Sequence, residues 1–150
     1  MWLETDVTVL DTFGRLLARV RRASDGLDVT REQLRRGRAV LYVIWPNVAR
    51  FEEYRAAQIA AQRSGLGIWQ PGRPLAELPF AYRRRKGGEA LSRPVADWFT
   101  GYYVAPADFA AVPVNNRLFF SSVAEAESAG FRPCPRDATR YLASCFGPAG

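Results

Sequence analysis

The chain has 150 residues, 48% of them hydrophobic and 24% charged, with a formal net charge of +6; that suits one ordinary domain or two very small ones and excludes a disordered chain. No apolar run approaches the roughly 18 residues of a membrane span, and Met1–Asp6 lacks the basic and apolar regions of a secretory leader, so neither is expected in this form. Histidine is absent, which excludes Ser-His-Asp and Cys-His catalysis, histidine-ligated zinc and an imidazole general base.

Residues 2–10 alternate, with Leu3, Thr5, Val7 and Val9 on one face and Trp2, Glu4, Asp6 and Thr8 on the other. This is the period of a half-buried strand, whose Glu4/Asp6 face is expected to meet solvent. Asp11-Thr12-Phe13-Gly14-Arg15 is turn chemistry, with Asp11 closing the Gly14 turn, and Leu16–Val20 reads as the returning strand. Ser24-Asp25-Gly26 is a second turn. Thr30 with Gln33 fits a capping box for a short helix that Gly37 stops.

Val40–Ile44 is a short apolar run ended by Pro46. Asn47 then suits the N-cap of a longer helix, with Phe51, Tyr54, Ala57 and Ala61 forming one apolar stripe and Gly65 closing it. Leu66–Trp69 is expected to fold back onto that helix. Three prolines and a glycine mark residues 70–79 as a linker. Phe80–Gly88 is aromatic and basic; a nucleic-acid contact at Arg83, Arg84 and Arg85 competes there with a plain solvated hairpin tip. Pro94–Val104 reads as extended, Arg117–Phe120 as a strand, Val123–Ala129 as a helix capped by Ser121 or Ser122, and a helical turn is expected near Tyr141.

Positive charge rests on twenty arginines against one lysine, Lys86. Arginine's planar fork suits phosphate, so a nucleic-acid partner is indicated. Cys134 and Cys145 are too few for a disulfide framework or a four-thiolate zinc site, and they are expected to be reduced thiols.

Asp11–Ala18, then Val29-Thr30 to Leu34 and Gly37, Tyr42, Pro46-Asn47, and the alanine-rich helix closing in Gly65–Trp69 occur in the order of the staphylococcal-nuclease (thermonuclease) family, whose hairpin reads Asp-x-Tyr-Gly-Arg-x-Leu-Ala. The first half of the chain resembles that family. The resemblance implies an OB-type barrel with packed helices and Ca²⁺-dependent hydrolysis of DNA or RNA; members are often secreted, while the compartment of this chain stays open. It matches only the family's C-terminal part, Trp2 falling in the fourth strand, so a truncated start is expected. The Ca²⁺ aspartates, the water-activating glutamate and one phosphate-clamping arginine then have no counterpart, and the other arginine maps to Arg15. Phe13 stands where the family usually has Tyr, and Tyr42 keeps a family tyrosine beside the site.

Residues 98–137 resemble, more weakly, the small metal-binding domain of the Ada DNA-repair protein: Asn116–Ser122, Glu125-Ala126 and Ala129–Cys134 carry the likeness. Asp137 stands where a ligand cysteine belongs, so zinc is expected to be lost and aromatic packing to replace it. The expected class is therefore α+β: residues 1–69 as the C-terminal part of a nuclease-like OB barrel, with two or three strands and two helices, and residues 80–150 as a small aromatic-rich α+β module. The expected function is nucleic-acid binding without catalysis, through Phe13, Arg15, Tyr42, Arg83, Arg84 and Arg85, with no metal or cofactor. The alternatives are a fragment of an active endonuclease and a protein-interaction module.

Overall fold

A computed structural model describes residues 1–87, 92–135 and 143–146. The chain divides into two compact units, one of Met1–Leu41 with Pro46–Ala76, the other of Tyr42–Trp45 with Glu77–Gly150. Residues 42–45, expected in the first half, thus belong to the second unit. Residues 70–76, expected in a linker, belong to the first, where Arg73 N–H donates to the Gln70 carbonyl (3.1 Å) and Leu75 N–H to that of Ile68 (3.1 Å).

In the first unit, β1 (Trp2–Leu10) and β2 (Leu16–Arg21) pair antiparallel, Trp2 opposite Arg21 and Leu10 opposite Leu16, with an irregularity between Thr5 and Leu10. Helix α1 (Val29–Arg35) packs on α2 (Phe51–Arg63). The α2 stripe of Phe51, Tyr54, Ala57 and Ala61 is buried as its spacing predicts, against Leu34 of α1. Two caps differ from expectation. Asp28, not Thr30, caps α1, accepting from Arg31 N–H at 2.9 Å, and its second oxygen accepts from the Tyr54 hydroxyl at 2.8 Å. Asn47 does not cap α2; it exchanges two bonds with the Thr8 backbone (2.8 and 2.9 Å), acting as a strand partner for β1. Buried Gln58 accepts from Leu41 N–H at 2.7 Å, pinning the chain as it leaves this unit.

The second unit is built on a five-stranded sheet in the order β3-β6-β4-β5-β7. Its strands are β3 (Val43–Ile44), β4 (Val95–Asp97), β5 (Tyr102–Val104), β6 (Arg117–Phe119) and β7 (Arg132–Pro133). β3 runs parallel to β6 with Val43 opposite Leu118, and β4 lies antiparallel to both β6 and β5. Central-strand residues Val95, Ala96, Leu118 and Phe119 are buried in turn, as in a sheet covered on both faces. Helix α3 (Pro79–Lys86) sends Phe80 into the core, 4.4 Å from Phe119 and 5.0 Å from Phe109 between ring centroids. Helix α4 (Val123–Ser128) is capped by Ser122, and α5 spans Ala143–Phe146. The thiol expectation is corrected: Cys134 and Cys145 form a disulfide buried in this core. The expectations at Asp137 and Tyr141 fall outside the described residues.

Candidate nucleic-acid interface

The β1–β2 hairpin places Arg15. Gly14 turns the chain at φ +74°, with open space around it. Asp11 closes the turn: one carboxylate oxygen accepts from Phe13 N–H and Arg15 N–H, both at 2.9 Å, and the other accepts from Arg15 Nε at 2.6 Å. Hydrogen bonding from the Arg15 side chain holds the Asp11 carboxyl below the usual range, with the backbone amides adding to it. Arg15 stays 72% exposed, its guanidinium 5.1 Å from the centroid of the exposed Phe13 ring. Asp11 occupies the Nε–Nη2 edge of the fork, so an incoming oxyanion meets Nη1 or competes with Asp11. The arrangement suits a phosphate beside a stacked base.

The two faces of β1 are reversed from expectation. Leu3, Val7 and Val9 are 50%, 70% and 43% exposed, whereas Glu4 and Asp6 turn inward and are part-buried. The cause is ion pairing. Glu4 meets Arg21 at 3.1 Å; Asp6 meets Arg19 at 3.2 Å and accepts from Ala49 N–H at 3.1 Å. Burial pulls the Asp6 carboxyl upward, but the Ala49 amide and Arg19 outweigh it and leave it lowered. These carboxylates are committed to arginines. Among the described residues no group of three or more His, Cys, Asp or Glu could hold a metal ion.

Tyr42 belongs to the second unit, where its ring packs 4.5 Å from Phe119 and 5.9 Å from Phe80. The run Arg83-Arg84-Arg85 is no hairpin tip but lies on α3, which opens on Pro79 and ends at Gly87 with φ +86°. A helix turns about 100° per residue, so the three arginines diverge. Arg83 lies over Tyr42 at 5.3 Å and Arg84 over Phe109 at 4.9 Å, while Arg85 is held by Glu77 at 2.9 Å. Sequence reasoning missed Arg117, which also stands over Phe109, at 5.2 Å, and donates from Nε to the Val112 carbonyl at 2.8 Å. A lone arginine opening an apolar strand was the only trace of it.

Residues 2–71 match the family described as "Staphylococcal nuclease homologue". Endonuclease YhcR of Bacillus subtilis (strain 168) is 43% identical over 124 residues, covering 81% of this chain and 10% of that protein. The chain thus spans about a tenth of that relative's length, and a match of this extent reaches beyond the first unit into the second. The Asp11–Arg15 hairpin, α1, α2 and the Gly67–Trp69 turn all lie inside the matched segment. Residues 2–71 belong to the staphylococcal nuclease homologue family.

Proposed function

We propose that this chain binds the phosphate backbone of nucleic acid through Arg15 and does not by itself hydrolyse it. The observation that carries the reading is Arg15 itself, set by Asp11 at an exposed hairpin tip beside Phe13, within the nuclease-family segment. Hydrolysis by in-line attack needs an activated water and neutralisation of charge on the phosphoryl oxygens. Arg15 offers the second. For the first, the nearest carboxylates, Glu4, Asp6 and Asp11, are each engaged by an arginine. On this reading the first unit is part of an OB-type surface, with Phe13 stacking on a base where a tyrosine would also have offered a hydroxyl.

One further reading has an observation of its own. The exposed apolar face of β1 favours a ribbon that other strands cover, as it would be within a larger endonuclease such as the relative's name describes. A cleavage and binding assay separates the two. The chain is incubated with heat-denatured DNA and with RNA in Ca²⁺, and Kd for a fluorescent dT12 is followed against salt. The expected result is no cleavage, a Kd that weakens steeply with salt, and a several-fold loss of affinity for Arg15→Ala. Cleavage abolished by EDTA and by Arg15→Ala would overturn the non-catalytic reading; affinity indifferent to salt would overturn binding.

A further inference from the structure

We propose that Arg84 and Arg117, both seated on the ring of Phe109, form a phosphate-binding site in the second unit. The guanidinium carbons lie 4.9 and 5.2 Å from the Phe109 centroid, and so within about 10 Å of one another. Neither joins an ion pair with any described residue. Arg84 Nη1 is buried without a hydrogen-bond partner; Arg117 has one carbonyl acceptor, that of Val112. Burial with no carboxylate to offset it pushes the Arg117 guanidinium down to about 10. Arg117 stays charged at neutral pH, and both side chains are part-desolvated against one ring, a costly arrangement unless an anion completes it.

Cation–π contact with one ring accounts for how the side chains are held, but it adds no negative charge. No described carboxylate of this unit lies within ion-pair distance of either guanidinium. Glu77 is bonded to Arg85, Glu127 to the Tyr103 hydroxyl, and Asp97 to Asn116 and two amides of its own turn. Arg83, equally without an ion pair, stands over Tyr42, and the rings of Tyr42, Phe80 and Phe109 follow one another at 5.9 and 5.0 Å. A planar fork backed by an aromatic ring is pre-oriented for an oxyanion in a way that a solvated lysine is not. The ligand chemistry is a phosphate group, free or in a nucleic-acid backbone. The site needs nothing from Arg15, so it stands or falls apart from the function proposed above.

The test uses the full chain. Arginine Nε–Hε resonances are followed by NMR as inorganic phosphate, dT12, or an uncharged methylphosphonate 12-mer is added at constant ionic strength. Arg84 and Arg117 signals should move with dT12 and not with the methylphosphonate; movement with inorganic phosphate as well would identify a site open to the free anion. By fluorescence anisotropy, the Arg84→Gln/Arg117→Gln variant should bind dT12 at least tenfold more weakly, with the slope of log K against log salt reduced by about 0.7 to 1.4. Arg15→Ala is measured alongside and should leave the Arg84 and Arg117 shifts in place. Signals in the wild-type chain that stay still for both phosphate and dT12, or that move equally with the methylphosphonate, overturn the proposal. That readout holds even if the double variant fails to fold.

Discussion

Replacing the buried Gly37 with alanine should destabilise the first unit far more than the exchange of a hydrogen for a methyl suggests. Gly37 ends α1 at φ +62°, and Gly67, at φ +57°, opens the turn that folds back against it. Their backbones pass so closely that a Cβ on Gly37 would sit 2.1 Å from the Leu66 carbonyl oxygen, and one on Gly67 2.1 Å from the Gly37 oxygen. The segment after α2 would have to lift away, giving up the bond from Ile68 N–H to the Gly37 carbonyl at 2.9 Å. A left-handed conformation costs a non-glycine residue about 1–2 kcal/mol, and a stranded buried polar group about 1–3 kcal/mol more, so either substitution should cost about 2–5 kcal/mol. For a unit of this size that is a fall of about 8 °C or more in Tm, measured by circular dichroism or calorimetry. Two controls isolate the terms. Gly14 shares the positive φ but has open space, so Gly14→Ala should lose only about 1–2 kcal/mol; Gly72 has open space and no positive φ, so Gly72→Ala should change little. If Gly37→Ala lost no more than Gly14→Ala, close approach would not be what makes glycine necessary there.

Three further outcomes are expected. Tyr54→Phe takes the hydroxyl from the 6%-exposed Asp28 and should cost about 1–3 kcal/mol; Asp28→Ala, which also removes the α1 cap, should cost more, and equal losses in denaturant melts would contradict the dual role of that carboxylate. Reducing the Cys134–Cys145 disulfide frees a closure of 11 residues in sequence and should destabilise the second unit by about 3 kcal/mol; an unchanged melt with two titratable thiols would refute it. Hydrogen bonds from Arg22 to Asp25, and from Arg35 and Arg36 to Glu32, depress both carboxyls to about 2. Folded values below the unfolded ones give a stabilisation present above the unfolded pKa and lost as pH falls toward 2. Tm should therefore decline over that window, modestly because Asp25 is exposed and Glu32 only part-buried, and Glu32→Gln should flatten the decline.

What could be read from residues alone was local. The Asp11–Arg15 turn, the α2 stripe and the Ser122 cap each follow from chemistry within a few positions, and the structure contains all three. What could not be read depends on partners distant in sequence. Alternation along β1 marks two faces but does not say which is covered; Arg19, Arg21 and the Ala49 amide decided that, drawing Glu4 and Asp6 inward and leaving Leu3 and Val7 outside. The apolar run at 40–44 could not announce that Val43 would pair with Leu118, 75 residues later, and carry Tyr42 into another core. Nor does a lone Arg117 advertise that it shares Phe109 with Arg84, because that meeting joins an α-helix, a 3-10 helix and a strand from separate stretches of the chain.

The +6 charge means different things in the two units. In the first, Arg15, Arg19, Arg21, Arg22, Arg31, Arg35, Arg36 and Arg50 each sit within ion-pair distance of a carboxylate. A guanidinium already paired gains less from a phosphate, since it gives up one anion to take another. In the second unit Arg83, Arg84, Arg117 and Arg132 instead stand over aromatic rings, while Arg85 pairs with Glu77. A ring orients a guanidinium without neutralising it, so these side chains keep their full attraction for phosphate. Formal charge is therefore a poor guide to where a polyanion would bind this chain. The first unit holds more arginines, most of them paired, whereas four guanidiniums of the second share its aromatic layer without a carboxylate.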